Sequence, residues 1–218
     1  MNLNHILKYK KIKDLTYDSV SVEKPMSNII DFDYKKILSP PLENTSQEVQ
    51  KELDLISYAT LHRTNTDIEF VLKMDADIDQ FYEELLKKYN LPYPRRYIYL
   101  FYDIVEPVLT NVKNYWNRPR PKQLGDMYGI KIDRIVTNTI NTASYPSGHT
   151  VYSKLVANIL MDIYPYLADK LDNIAKNTGV ARVKQGVHYP SDNIASFKFS
   201  NFVYKKLQPK LRKYHETS

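Results

Sequence analysis

Apolar positions along this 218-residue chain recur mostly at intervals of three and four, the period of a buried helix face. Val49, Leu53, Ile56 and Thr60 share one face, and Thr45 and Glu48 ahead of them have capping-box spacing. Ile68, Val71, Leu72, Ile78, Phe81 and Leu85 mark a second helical stretch, broken near Asp75. Leu91-Pro92-Tyr93-Pro94 stops it. Ile98, Phe101, Val105, Val108 and Val112 give a third helix, kinked at Pro107 and ending near Asn117, because Pro119 and Pro121 cannot continue it. Residues 122–145 read as a long loop with short extended pieces around Ile130 to Val136. Val151, Leu155, Val156, Ile159, Leu160 and Ile163 form another amphipathic helix, and two more are expected at about 167–178 and 190–207.

Strand signals are weak throughout, so the expected class is all-α. The expected organisation is an irregular N-terminal arm (1–45) with "VEKPMSN" and "SPPLENTS" as breakers, a single helical domain (46–210) and a basic tail (211–218). There is no internal repeat. The apolar share of 43% suffices for one sizeable core. With only 5 glycines, long Gly-rich loops are excluded. No cysteine is present, which removes disulfides, thiolate nucleophiles and sulfur-built zinc sites. The start lacks an apolar h-region and no stretch approaches a membrane span, so a soluble, cytoplasmic protein is expected. The net charge of +6 favours anionic partners without choosing among phosphates, nucleic acid and acidic membrane surfaces.

Three clusters carry candidate chemistry. In "KNYWNRPRP" (113–121), Lys113 lies on the last turn of the third helix, and Arg118 and Arg120 follow in a proline-stiffened exit. In "TASYPSGHTVY" (142–152), Ser147 is placed to cap a helix starting near His149, Gly148 permits close approach to the backbone, and the helix start offers N–H groups to an anion. In "ARVKQGVHYPSD" (181–192), Pro190 suits the first position of a helix, leaving His188 just outside and Asp192 in the first turn, where its carboxylate can reach back to one imidazole nitrogen. Each cluster alone is ordinary helix-end chemistry. Their order and spacing together are not.

Lys113 with Arg120-Pro121 after six intervening residues, then Pro146-Ser147-Gly148-His149, then Arg182, five residues, His188, three residues and Asp192 resembles the phosphatidic acid phosphatase type 2 superfamily. That superfamily includes class A acid phosphatases and vanadium-dependent haloperoxidases. The resemblance implies a helical bundle of that type and a metal-independent phosphatase hydrolysing phosphate monoesters, lipid phosphates among them, through a phosphohistidine. It assigns phosphate binding to Lys113, Arg120, Ser147, Gly148 and Arg182. His188 becomes the nucleophile, Asp192 orients it, and His149 is the acid and then the base. No metal or cofactor is implied, and vanadate should bind as a phosphate mimic. Ala181 stands where the family usually has Ser, which should weaken or alter binding without removing a charged group. Arg118 is at a non-motif spacing and is left out of the phosphate contacts. The alternative within this resemblance is a vanadate-dependent haloperoxidase using the same cage, for which nothing specifies a halide pocket. A basic nucleic-acid-binding module is the reading from another class, but no such motif appears. The expected partner is a phosphorylated small molecule or lipid, not a specific nucleic acid. A peripheral membrane contact and a homo-oligomer both stay open.

Overall fold

The computed structural model describes residues 3–17, 33 and 36–215. Among them the chain forms nine α-helices and no strand: α1 (Leu3–Lys13), α2 (Gln47–Leu61), α3 (Asn65–Ala76), α4 (Asp79–Lys87), α5 (Arg95–Trp116), α6 (Pro121–Tyr128), α7 (Gly148–Ile163), α8 (Ala168–Lys184) and α9 (Pro190–His215). The all-α expectation holds. The central element is α7, which packs on α8, α9 and α5. Val151, Leu155, Val156, Ala157, Ile159 and Leu160 are fully buried there, and burial of each large aliphatic side chain contributes about 1.5–3 kcal/mol. Phe101, Val105, Val108 and Val112 of α5 and Phe199 and Val203 of α9 complete the same core.

Several boundaries differ from the sequence reading, each for a local reason. Ser46, not Thr45, caps α2, its hydroxyl accepting from Val49 N at 3.2 Å. The 68–85 stretch is two helices, as the expected break near Asp75 implied, with the break at 77–78, where the Asp77 carboxylate accepts from Asp79 N and starts α4. The expected 122–145 loop begins with α6, where Pro121 takes the first position and the Gln123 side chain accepts from Arg120 N at 2.8 Å. Its extended pieces find no partner strand. Asp133 N bonds the Thr60 hydroxyl and Ile135 N bonds Gln185 O instead. Helix α5 runs unbroken through Pro107. At the far end, α9 continues through Pro209 to His215, since Leu207 and Leu211 still face the core, so the tail from 211 is helical as far as 215.

The arm also departs from the expected irregular form. Its residues 3–13 are helical, and Ile12 is buried beside Val49, Leu53 and Ile56 of α2. The Asn44 amide ties the arm down by donating to Ile12 O and Leu15 O. Lysine-rich α1 shows little apolar period, which hid it. The "VEKPMSN" breaker lies outside the described residues, whereas residues 39–43 of "SPPLENTS" form no helix.

Small polar residues let α7, α8 and α9 approach at the end that matters for chemistry. Ser196 and Ser200 on α9 donate to Ser147 O and Val151 O of α7, at 3.0 and 2.8 Å. Thr150 donates to the Asn193 side-chain oxygen, and the Asn193 amide donates to Gly179 O of α8. A Cβ on Gly179 would stand 3.2–3.3 Å from Asn193 side-chain atoms. Gly179→Ala overpacks this junction, which Asn193 is bonded too firmly to relieve, at a cost of about 1–3 kcal/mol offset by roughly 1 kcal/mol of helix propensity. A Tm lowered by several degrees in thermal unfolding is expected, and an unchanged Tm would show the junction to be loose.

Candidate active site

That junction gathers the three clusters. Helix α5 ends at Trp116 with Asn117 in a left-handed conformation (φ 42°), sending Arg118 and Arg120 into the interior. Helix α7 starts at Gly148, Arg182 lies on the last turn of α8, and α9 starts at Pro190. Between α8 and α9 the chain turns at Gly186 (φ 79°), and neighbouring atoms at 3.0 Å leave no room for a Cβ. This tight turn sets His188 just ahead of α9.

His188 is 1% exposed and held on both ring nitrogens. Nδ1 lies 3.1 Å from Asp192 Oδ2, and Nε2 lies 2.8 Å from Arg120 Nη1. A guanidinium can only donate, so Nε2 is the bare nitrogen and Nδ1 carries the proton that goes to Asp192. Asp192 is itself fixed by Ser144 Oγ, Tyr189 N and Arg118 Nη1, the last at 2.6 Å. Arg118 also pairs with Glu52 at 3.3 Å and stacks over the Tyr189 ring at 3.8 Å. It thus supports the carboxylate that supports the imidazole. Its basicity is raised, because Asp192, Tyr189 and Glu52 together outweigh the opposing effect of burial.

The remaining cations converge on the same hollow. Arg120 is anchored through Nε to Thr142 O and through Nη1 to Val187 O, while the Lys113 ammonium donates to Ala143 O at 2.7 Å. Arg182 bonds the Asp75 carboxylate, which also accepts from the Thr139 hydroxyl at 2.6 Å. His149 Nε2 lies 3.1 Å from Asp75 O; a carbonyl only accepts, so Nε2 bears a proton and Nδ1 is the nitrogen left free. Gly148 is the first residue of α7, and the open helix start leaves N–H groups without intrahelical acceptors. Ser147 takes the N-cap position but does not cap: its hydroxyl bonds the Thr150 hydroxyl at 3.0 Å. Ala181 packs with Val71 and Met74, so the missing hydroxyl falls on the packing of α3 against α8.

The electrostatics have one sign. Burial, then Arg120, holds the Lys113 ammonium well below its usual basicity. Burial, then Arg182, brings Arg120 down to about 10. Burial, then Arg182, lowers His149 to about 4. Burial, then Arg120, Lys113 and Arg182, keeps His188 well below the ordinary imidazole range. Positive charge is in excess here, and a bound anion would relieve every one of these groups. Asp75 supplies part of that relief from within: although burial works against it, Thr139 and Arg182 hold its carboxyl below the usual range. A cavity of about 410 Å³ opens beside the cage. Lys113, Gly148 and His149 line it, whereas Arg120, Arg182 and His188 are almost fully buried and do not line it. Among the described residues no group of three or more His, Asp or Glu could hold a metal ion.

All eight motif residues are therefore drawn to one end of the bundle. Asp75, Thr139, Ser144 and Glu52 join them and were not singled out in the sequence. Asp75 showed there only as a helix break.

Fold and site together define a helical protein with a buried, cation-lined anion cage and a carboxylate-oriented imidazole. Residues 97–204 match the family model of the PAP2 superfamily. This segment, which holds every motif residue, belongs to that superfamily. Over 83 residues the chain is 36% identical to a non-specific acid phosphatase of Salmonella typhi and 35% identical to that of Salmonella typhimurium, covering 38% of this chain. Those matches take in only 32% of each relative's length. A transmembrane PAP2-type phosphatidylglycerolphosphate phosphatase from Bacillus subtilis shares the fold, with a TM-score of 0.51 and 18% identity over 79% of this chain and 89% of that one. Among the described residues of the present chain, no helix is long and apolar enough to cross a membrane.

The two depressed histidines fix a stability trend. Unfolded, they bind protons below about 6.5; folded, His149 does so only near 4 and His188 well below 6.5. Stability should therefore fall as pH drops from about 6.5 toward 4, although Asp79, raised by burial, opposes this at the acid end. In anion-free buffer Tm should decline from pH 7 to 4.5, and 10-millimolar-scale inorganic phosphate should recover it. A flat Tm over that interval contradicts this electrostatic picture.

Proposed function

We propose that the protein is a phosphatase that hydrolyses phosphate monoesters through a covalent intermediate on His188, with no metal ion taking part. The observation that carries this reading is the His188 ring, with Nδ1 bonded to Asp192 and a bare Nε2 set against Arg120. A phosphoryl group entering the hollow would take the Arg120 fork onto its own oxygens, together with Arg182 and Lys113, and so release Nε2. The preset cations then stabilise charge on the equatorial oxygens without reorganisation.

In the first step the Nε2 lone pair forms a bond to phosphorus while the ester P–O bond breaks. The departing alkoxide takes a proton from His149 Nδ1, the nitrogen not engaged by Asp75 O. Asp192, held by Arg118, stabilises the imidazolium character that develops at His188. In the second step water gives a proton back to His149 and attacks phosphorus; the P–N bond breaks and inorganic phosphate leaves. Asp75 would position both Arg182 and His149. The acid-phosphatase relatives and the PAP2 segment support this activity, and the convergence of three cations on one imidazole gives it a physical basis.

Aryl phosphate turnover should persist with chelator present and be inhibited by vanadate, and His188→Ala should lower kcat by a factor on the order of 10³ or more. Full turnover by His188→Ala would remove His188 from the chemistry. The free enzyme needs His188 neutral and His149 protonated. With His149 near 4, kcat/KM should rise toward acid pH and fall steadily above about pH 4, already low at neutrality. Asp75→Asn, which removes a charge that favours the His149 proton, should move the falling limb to lower pH. A profile rising toward pH 8 would contradict the assignment of His149.

A further inference from the structure

The cavity beside the cage has a chemistry of its own. On one side it is lined by Lys113, Gly148 and His149, with the Asp75 carboxylate already paired to Arg182. Its outer wall carries carboxylates: Asp77, Asp79 and Glu106, together with the rings of Tyr99, Tyr102 and Tyr152. The rings form a continuous set. Tyr99 stacks on Tyr102 at 5.6 Å, and Tyr102 meets Tyr152 edge-on at 4.8 Å. The carboxylates fix the rings in place, since Tyr102 Oη donates to Asp79 at 2.6 Å and Tyr152 Oη donates to Glu106. Asp77 and Glu106 are exposed, whereas Asp79 is buried. Arg95, which bonds Tyr99 Oη at the rim, is itself paired with Glu83 and adds no net positive charge.

Resting on the phosphatase reading above, we propose that this cavity selects phosphomonoesters whose leaving alcohol carries an ammonium group. The phosphoryl end would sit among Lys113, Arg120 and Arg182. The ammonium would face the tyrosine rings, whose π faces attract cations, and the carboxylates of Asp77 and Glu106. The same wall repels leaving groups that bear a second anionic group, such as a carboxylate or a further phosphate. The cavity volume of about 410 Å³ leaves ample room for such an alcohol, so charge rather than size does the selecting.

Non-hydrolysable phosphonates separate this claim from the claim of catalysis. Binding of 2-aminoethylphosphonate and 2-carboxyethylphosphonate, nearly equal in size and opposite in terminal charge, would be measured by calorimetry at fixed ionic strength. The amine should bind about tenfold or more tightly, a gap of the size that two charges some ångströms apart produce near a protein surface. The double variant Asp77→Asn, Glu106→Gln keeps the hydrogen-bond acceptors that cap α4 and hold Tyr152 but removes two charges. It should close most of the gap, chiefly by tighter binding of the carboxylate ligand, and added salt should narrow the gap in the wild type. Equal binding of the two ligands, a preference for the carboxylate, or a gap that survives the double variant overturns the proposal. If the amine ligand wins but no monoester is turned over, the phosphatase reading fails and the cavity assignment stands. If neither phosphonate binds while monoesters are turned over, the cavity assignment fails and the phosphatase reading stands.

Discussion

Burying several cations close to one another is the constraint on which this protein turns. Lys113, Arg120 and Arg182 are each 6% exposed or less. An unpaired buried charge costs several kcal/mol even after relaxation. The chain meets that cost with three carboxylates from different directions, Glu52 among them through Arg118. Asp75, at the end of α3, takes Arg182, while Asp192, at the start of α9, takes Arg118 and the His188 N–H. Compensation is partial, as the lowered basicity of Lys113 and Arg120 shows. An anion in the hollow completes it, so binding and stability draw on the same deficit.

The packing of the bundle makes the deficit tolerable. The hydroxyls of Ser196 and Ser200 and the side chain of Asn193 bind α7, α8 and α9 through fixed polar contacts near the cage. Apolar layers then take over along α5, α7 and α9. Backbone carbonyls of Thr142 and Val187 hold Arg120, and that of Ala143 holds Lys113. Lys113 and Arg120 are thereby oriented by main-chain segments, and Arg182 by the buried Asp75 carboxylate and the Thr139 hydroxyl.

Much of this was legible in the sequence because helix-end chemistry is local. Pro190 at the head of α9, with His188 two residues before it and Asp192 two after, gives the imidazole–carboxylate contact from chain geometry alone. The long periods of α5 and α7 were read correctly for the same reason, since their buried faces repeat over several turns. What stayed hidden depends on distant partners. Asp75 lies 107 residues from Arg182 and Glu52 139 from Ser191, and no local pattern announces either pairing. Arg118, set aside for its spacing, turns out to brace Asp192. The α6 helix was lost between prolines and a glycine, where eight residues give too short a period to recognise. Ser147 was expected to cap α7, but Thr150 one turn on claims its hydroxyl.

The most direct measurement is chemical trapping of the intermediate. Acid-sparing rapid quench of the enzyme with a phosphorus-labelled monoester, followed by peptide mapping, should place an acid-labile, alkali-stable phosphate on the peptide containing His188. Label on a serine peptide such as that of Ser147, or burst turnover with no labelled protein at all, would contradict the account.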